Sequence, residues 1–230
     1  KNTAKIDIGA YSACYKLALF MTLFATAFRL GVEPFFFSHA KNEDAPHTYA
    51  MITKYFVIFG SLILLTVIVF SDILKILIIR DESYWQAMKV VPLIILANFF
   101  LGIYHNLSVW YKLTDKTKMG AYISIIGAIV TLVLNFMLIE KFTYVGSAIA
   151  TIAAYGTMMF ISYVLGNKYY PIPYDLKKIG GYLGLSILFS SIYFYGFREN
   201  YFIGIGFLVI YFYFIYYNEK ETLLRILKKA

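Results

Sequence analysis

Two cations interrupt an otherwise apolar run near the start of this chain. Lys16 and Arg29 fall between about Ile8 and Leu30, and Glu33 and Pro34 follow just beyond. An ionisable side chain inside a membrane span is costly, and it usually faces a cavity or a partner. A guanidinium holds phosphate or pyrophosphate oxygens through paired hydrogen bonds, and an ammonium attracts them as a point charge. Lys16 and Arg29 are therefore candidates to bind an anionic substrate group. The competing reading is snorkelling, in which long apolar stems carry both charges to the headgroups. Glu33 is four residues from Arg29 and shares its helix face. It is read as either a coupling carboxylate or half of a structural ion pair. Pro34 lacks a backbone donor and can kink or end the membrane-spanning part of this helix.

The remaining polar groups carry less chemistry. His105 sits within an apolar run, where hydrogen bonding to a neighbour is commoner than proton relay, and Asn98 and Asn135 are expected to bond across helices. His39 and Asp44 have a spacing used by acyltransferases, and His39, Glu43, Asp44 and His47 share one polar loop, yet neither pattern brings a catalytic domain or a clear ligand geometry. HExxH, GxSxG and phosphate-binding glycine loops are absent from the sequence. The single cysteine, Cys14, excludes a disulfide framework and any cysteine-based metal site. No catalytic residue, metal or cofactor is expected, and the chain is not read as an enzyme.

The elements that must position Lys16 and Arg29 are membrane helices. Of the 230 residues 60% are hydrophobic and 15% charged, with a mean hydropathy of +0.68. A water-facing domain carries about 25% charged residues, so a soluble enzyme is excluded. The net charge of +8 is spread between apolar runs and is not clustered, which argues against nucleic acid. A span needs about 20 apolar residues. The first span covers residues 8–30; six charge-free stretches follow at 55–71, 90–111, 119–139, 142–166, 179–197 and 200–218. The expected fold is an all-α polytopic bundle of about seven transmembrane helices over residues 1–218, with a basic amphipathic tail at 219–230 on the membrane surface. Between spans two and three, Asp72–Ser83 reads as a short interfacial segment. Gly180 and Gly184 form a small-xxx-small pair, expected to mark a close helix contact. Tyrosines at span ends, including Tyr169, Tyr170, Tyr174, Tyr216 and Tyr217, fit an aromatic belt at headgroup level.

Alternate loops differ in basic residues. Lys41, Lys54, Lys112, Lys116, Lys118, Lys168, Lys177, Lys178 and the C-terminal cations fall on one side, and a smaller set including Lys75, Arg80, Lys89, Lys141 and Arg198 on the other. The positive-inside rule assigns the first group and the C-terminus to the cytoplasm.

The stretch from Gly9 to Ala18 (GAYSACYKLA), continuing from Phe28 to Phe37 (FRLGVEPFFF), resembles the opening of the C-terminal half of bacterial polysaccharide, or lipid-linked oligosaccharide, flippases. These belong to the multidrug/oligosaccharidyl-lipid/polysaccharide exporter superfamily. The resemblance implies one lobe of a two-lobed transporter in the bacterial inner membrane, its partner lobe being an N-terminal part of the same polypeptide. It implies flipping of an undecaprenyl-pyrophosphate-linked oligosaccharide by alternating access, with Lys16 and Arg29 holding the pyrophosphate. The alternatives are a cation-coupled multidrug exporter of the same superfamily, which would want buried acids, and a polytopic enzyme of polysaccharide assembly. Lipid-linked oligosaccharide and membrane lipids are the expected partners, and one lobe alone is not expected to transport.

Overall fold

The computed structural model describes residues 2–79 and 81–227, with side chains from 9 to 222. Lys1, Arg80 and residues 228–230 lie outside the described residues, as do the side chains of Lys5 and of the tail beyond 222. The order is α1 (Asn2–Ser38), α2 (Ala45–Val69), α3 (Ser71–Ile78), a 3₁₀ helix (Glu82–Val90), α4 (Val91–Leu107), α5 (Val109–Leu113), α6 (Thr117–Tyr169), α7 (Leu176–Gly196) and α8 (Tyr201–Leu227). No strand occurs among the described residues. The protein is an all-α polytopic bundle.

Six helices are long and apolar enough to cross a membrane, one fewer than the expected seven spans. The difference lies in α6. Its 53 residues contain one non-helical position, Thr143, with φ 50° and ψ −130°. Removing Thr143 leaves 26 residues on either side, each about 39 Å long at 1.5 Å per residue. Either arm exceeds the roughly 30 Å hydrocarbon core. The arms fold back on each other. A Cβ at Gly146 would sit 2.6 Å from the Leu138 carbonyl oxygen, one at Gly127 would overlap the Met158 sulfur, and Lys116 lies 3.6 Å over the Tyr169 ring. Each of these pairs is nearly symmetric about Thr143, as an antiparallel hairpin requires. The spans at 119–139 and 142–166 are its two arms.

α1 continues past Pro34 to Ser38, within two residues of Ala40, beyond which the polar loop is expected to begin. Other boundaries follow local chemistry. The Asp72–Ser83 segment, expected at the interface, falls on α3 and the start of the 3₁₀ helix, whose sequence (ESYWQAMKV) has no apolar period to announce it. Span three breaks at Ser108, whose hydroxyl donates to the His105 carbonyl at 2.6 Å.

α4 is the centre of the bundle: 67% of the apolar window that includes it is buried, against 11% for α6 and for α8. It meets α2 through reciprocal glycines. Gly60 on α2 receives the Phe99 ring of α4, and Gly102 on α4 receives the Phe56 ring of α2, where a Cβ would come within 2.5 Å of Phe56 Cζ. We expect Gly60→Val to lower stability by about 1–3 kcal/mol through overpacking, read as a fall in Tm of the purified protein, with Phe99→Leu in the same chain restoring most of it. The Gly180 and Gly184 expectation is corrected: both are exposed, and nothing approaches within 4 Å of a Cβ at either. Their spacing matches a contact motif, but that face of α7 points away from the bundle. The aromatic belt is mixed. Tyr216 and Tyr217 are exposed, whereas Tyr170 and Tyr174 pack against core side chains.

α2, α7 and α8 are tied at both ends. At one end Glu219, 2% exposed, accepts hydrogen bonds from Lys54 (2.6 Å), Lys178 (3.1 Å) and the Tyr182 hydroxyl (3.0 Å). At the other, Asp72 accepts from Arg198 Nε and Nη2 at 2.9 and 2.8 Å and from Lys75 at 2.6 Å. Together with the Lys112–Glu33 pair, and with Lys89 over Tyr144 on the opposite side, these contacts keep the loops in the two groups that alternate along the sequence.

Asp72 lies past the end of α2, outside the spans. Burial alone would raise its pKa, but the hydrogen bonds from Arg198 and Lys75 outweigh it and hold the carboxyl below its ordinary value. A carboxylate whose folded pKa is lowered contributes stability that is complete above its unfolded value, about 3.9, and is lost as pH falls through the folded one. Amide-exchange protection of Ile73–Leu77, corrected for intrinsic rates, should therefore hold from pH 7 to about 5 and fall only below about pH 4. Asp72→Asn should abolish that step.

Candidate functional site

Three carboxylates at the ends of these helices are compensated. Glu219 and Asp72 each hold two cations, and Glu33 accepts a 2.5 Å hydrogen bond from Lys112 Nζ. The partner of Glu33 is thus Lys112, at the end of α5, and not Arg29 one turn before it. Sequence spacing pointed to the local neighbour; the contact comes from a residue 79 positions away.

Arg29 differs. It is half-buried, its Nε is shielded from solvent, and that nitrogen has no hydrogen-bond partner among the described residues. It stands between two clefts. One, about 330 Å³, is lined by Arg29, Glu33, His105, Asn106 and Lys112 among apolar neighbours. The second, about 450 Å³, is lined by Tyr15, Thr22, Thr26, Arg29, Asn98, His105 and Tyr155 with Ala25, Leu101 and Gly102. α1 supplies Tyr15, Thr22, Thr26 and Arg29 because seven- and four-residue steps return to nearly the same helix face. α4 supplies Asn98, Gly102 and His105 by the same rule, and the second arm of α6 adds Tyr155.

Lys16 stands elsewhere. It is 13 positions from Arg29, which is about 20 Å along the axis and about 140° around it. It is exposed, on a stripe with Ser12, Leu19, Phe20 and Leu23, and lines neither cleft. The two cations therefore do not converge on one site within the described residues. Asn98 is corrected from its expected role: its Nδ2 is buried with no hydrogen-bond partner among the described residues, and so is the Asn135 Oδ1. His105 lines both clefts. Cys14 is fully buried, as a packing residue should be.

The second cleft sets donors among apolar neighbours. No Asp or Glu lines the larger cleft, and the one acid of the smaller cleft is occupied by Lys112. The donors of the second cleft suit a group rich in acceptor oxygens. Tyr15, Thr22, Asn98 and Tyr155 were not singled out as site residues from the sequence. The signal that could have found the first two is their helical phase with Arg29.

The chain matches the MatE family model over residues 2–137, more than half of its length. It belongs to the MatE family. No curated protein and no solved structure matches the chain. The MatE match runs from α1 to the first arm of α6, so it contains Lys16, Arg29, Glu33, Asn98, His105 and Lys112, while Tyr155 lies beyond it. MatE proteins are membrane transporters of the multidrug/oligosaccharidyl-lipid/polysaccharide exporter superfamily. Membership thus agrees with a multi-pass helical carrier and supplies no catalytic chemistry.

Proposed function

We infer that this MatE-family protein flips a lipid-linked oligosaccharide, carried on undecaprenyl pyrophosphate, across the bacterial inner membrane for surface polysaccharide synthesis. The observation that supports this reading is the uncompensated Arg29 in a cleft without carboxylates. A cationic, donor-lined void favours a pyrophosphate over an organic cation, because an unpaired guanidinium in low dielectric strongly prefers an anionic partner. Among the described residues lining the two clefts the one acid is Glu33, which is engaged by Lys112 and is a poor candidate to hold a coupling ion.

In this reading the chain forms the C-terminal lobe of a two-lobed transporter, with its C-terminus in the cytoplasm. The outward stripe of α1, with Lys16 at its middle, faces the N-terminal lobe across the central cavity. Arg29, one turn from the Glu33–Lys112 pair on the cytoplasmic side, holds the incoming headgroup first, and Lys16, about 20 Å further along the helix, attracts it onward as a point charge. Alternating access then moves the two lobes about the bound headgroup.

The test is a deletion of the gene in its native host. Lipid-linked oligosaccharide should accumulate in the cytoplasmic leaflet and surface polysaccharide should disappear, with drug susceptibility unchanged. Unchanged polysaccharide with increased drug sensitivity would instead assign the protein to cation-coupled drug export.

A further inference from the structure

Two buried donors without an acceptor belong to residues that line one cleft. Arg29 Nε and Asn98 Nδ2 are both shielded from solvent, both lack a hydrogen-bond partner among the described residues, and both belong to residues lining the cleft between α1 and α4. Asn98 is 5% exposed and sits on the most enclosed helix of the bundle. A buried donor left unpaired costs about 1–3 kcal/mol, and native proteins leave few such groups. Two of them in one cleft mark a place where acceptor atoms belong. The rest of the lining strengthens this. Tyr15, Thr22 and Tyr155 bring hydroxyls, His105 brings a ring nitrogen, and no carboxylate competes for the donors.

We propose that this cleft is an oxyanion subsite within the lobe, in which Asn98 and Arg29 together bind a phosphate group. Asn98 is thereby a ligand-binding residue and not a helix-to-helix strut. Naming the phosphate as that of the lipid-linked substrate rests on the function proposed above; the donor geometry itself does not. The subsite fixes only the charged junction between lipid and sugar.

The experiment uses the purified full-length protein in phosphatidylcholine nanodiscs, with inorganic pyrophosphate as the probe and sodium chloride at matched ionic strength as the control. Pyrophosphate should raise the Tm of the wild type by several degrees more than chloride does. The rise should vanish in Arg29→Gln and in Asn98→Asp. The second variant is nearly isosteric, and its introduced carboxylate should pair with Arg29, so its Tm without ligand should equal or exceed that of the wild type. A structural role for Asn98 predicts the reverse: a lower Tm and an unchanged pyrophosphate response. No pyrophosphate effect in the wild type, or an equal effect in Asn98→Asp, overturns the subsite. In nanodiscs containing phosphatidylglycerol, a pyrophosphate response that persists supports the substrate as the source. A response abolished by that lipid assigns the subsite to a membrane headgroup and overturns the substrate assignment. Polysaccharide export in cells separates the two levels: Arg29-dependent export without pyrophosphate binding would sink the subsite and leave the flippase reading standing.

Discussion

Arg29→Ala in the full-length protein should reduce surface polysaccharide export about 10- to 100-fold, with membrane abundance unchanged. The magnitude follows from losing charge-assisted hydrogen bonds to the substrate, about 1.5–3 kcal/mol, at 1.4 kcal/mol per tenfold. The second half of the expectation is the sharper one. Its Nε lacks a hydrogen-bond partner among the described residues, so truncating the side chain should remove little that holds the helices together. It also relieves the cost of a charge held without a partner. A structural arginine would behave oppositely, losing abundance and export in parallel. Arg29→Lys keeps the charge and loses the planar fork, and should fall between wild type and alanine. Lys16→Ala should reduce export by a smaller factor, since Lys16 is exposed and acts at longer range. Quantifying export per molecule of protein in the membrane checks all three. Normal export in both alanine variants would remove the proposed substrate contacts.

Glu219→Ala should have the largest effect on stability, about 3–5 kcal/mol. The carboxylate is almost fully buried where α2, α7 and α8 meet, and its loss leaves Lys54, Lys178 and the Tyr182 hydroxyl without their common acceptor. Removing one member of a buried ion cluster costs far more than replacing the cluster, because the remaining charges stay desolvated. Lys54→Met together with Lys178→Met and Glu219→Met should therefore recover much of the loss. Thermal unfolding in detergent gives the comparison. If Glu219→Ala unfolds within about 1 kcal/mol of wild type, the cluster is solvated and its tie between helices is weak.

Much of this fold can be read from residue types alone, and the reason is physical. Lipid demands long runs without charge, so the absence of Asp, Glu, Lys and Arg marks each span directly. The hairpin of α6 is legible in this way, since the run breaks only at Glu140 and Lys141. The reversal at Thr143 is not, because nothing about a threonine announces a positive φ. Contacts between distant residues are also hidden. Glu219 meets Lys54 across 165 positions and Glu33 meets Lys112 across 79, and no local pattern encodes those distances. Gly180 and Gly184 have the spacing of a contact motif, whereas the glycines that admit a neighbouring ring, Gly60 and Gly102, lie on separate helices and match no motif at all. At the candidate site, Arg29 is visible as an isolated cation. Its separation from Lys16 follows from turning the helix by 100° per residue, while the unpaired state of Asn98 depends on what α1 and α6 place opposite it.

The turn at Thr143 also governs how the chain enters the bilayer. One residue separates the arms, so the ribosome finishes the first arm of α6 before any of the second exists. At roughly 5–20 residues per second the second arm takes about 1–5 s to follow. During that interval the groove at Gly127, later filled by Met158, lacks its occupant. Translation speed over residues 144–169 therefore sets how long the newborn arm waits without its mate, and slow codons there should lengthen its exposure to quality-control proteases.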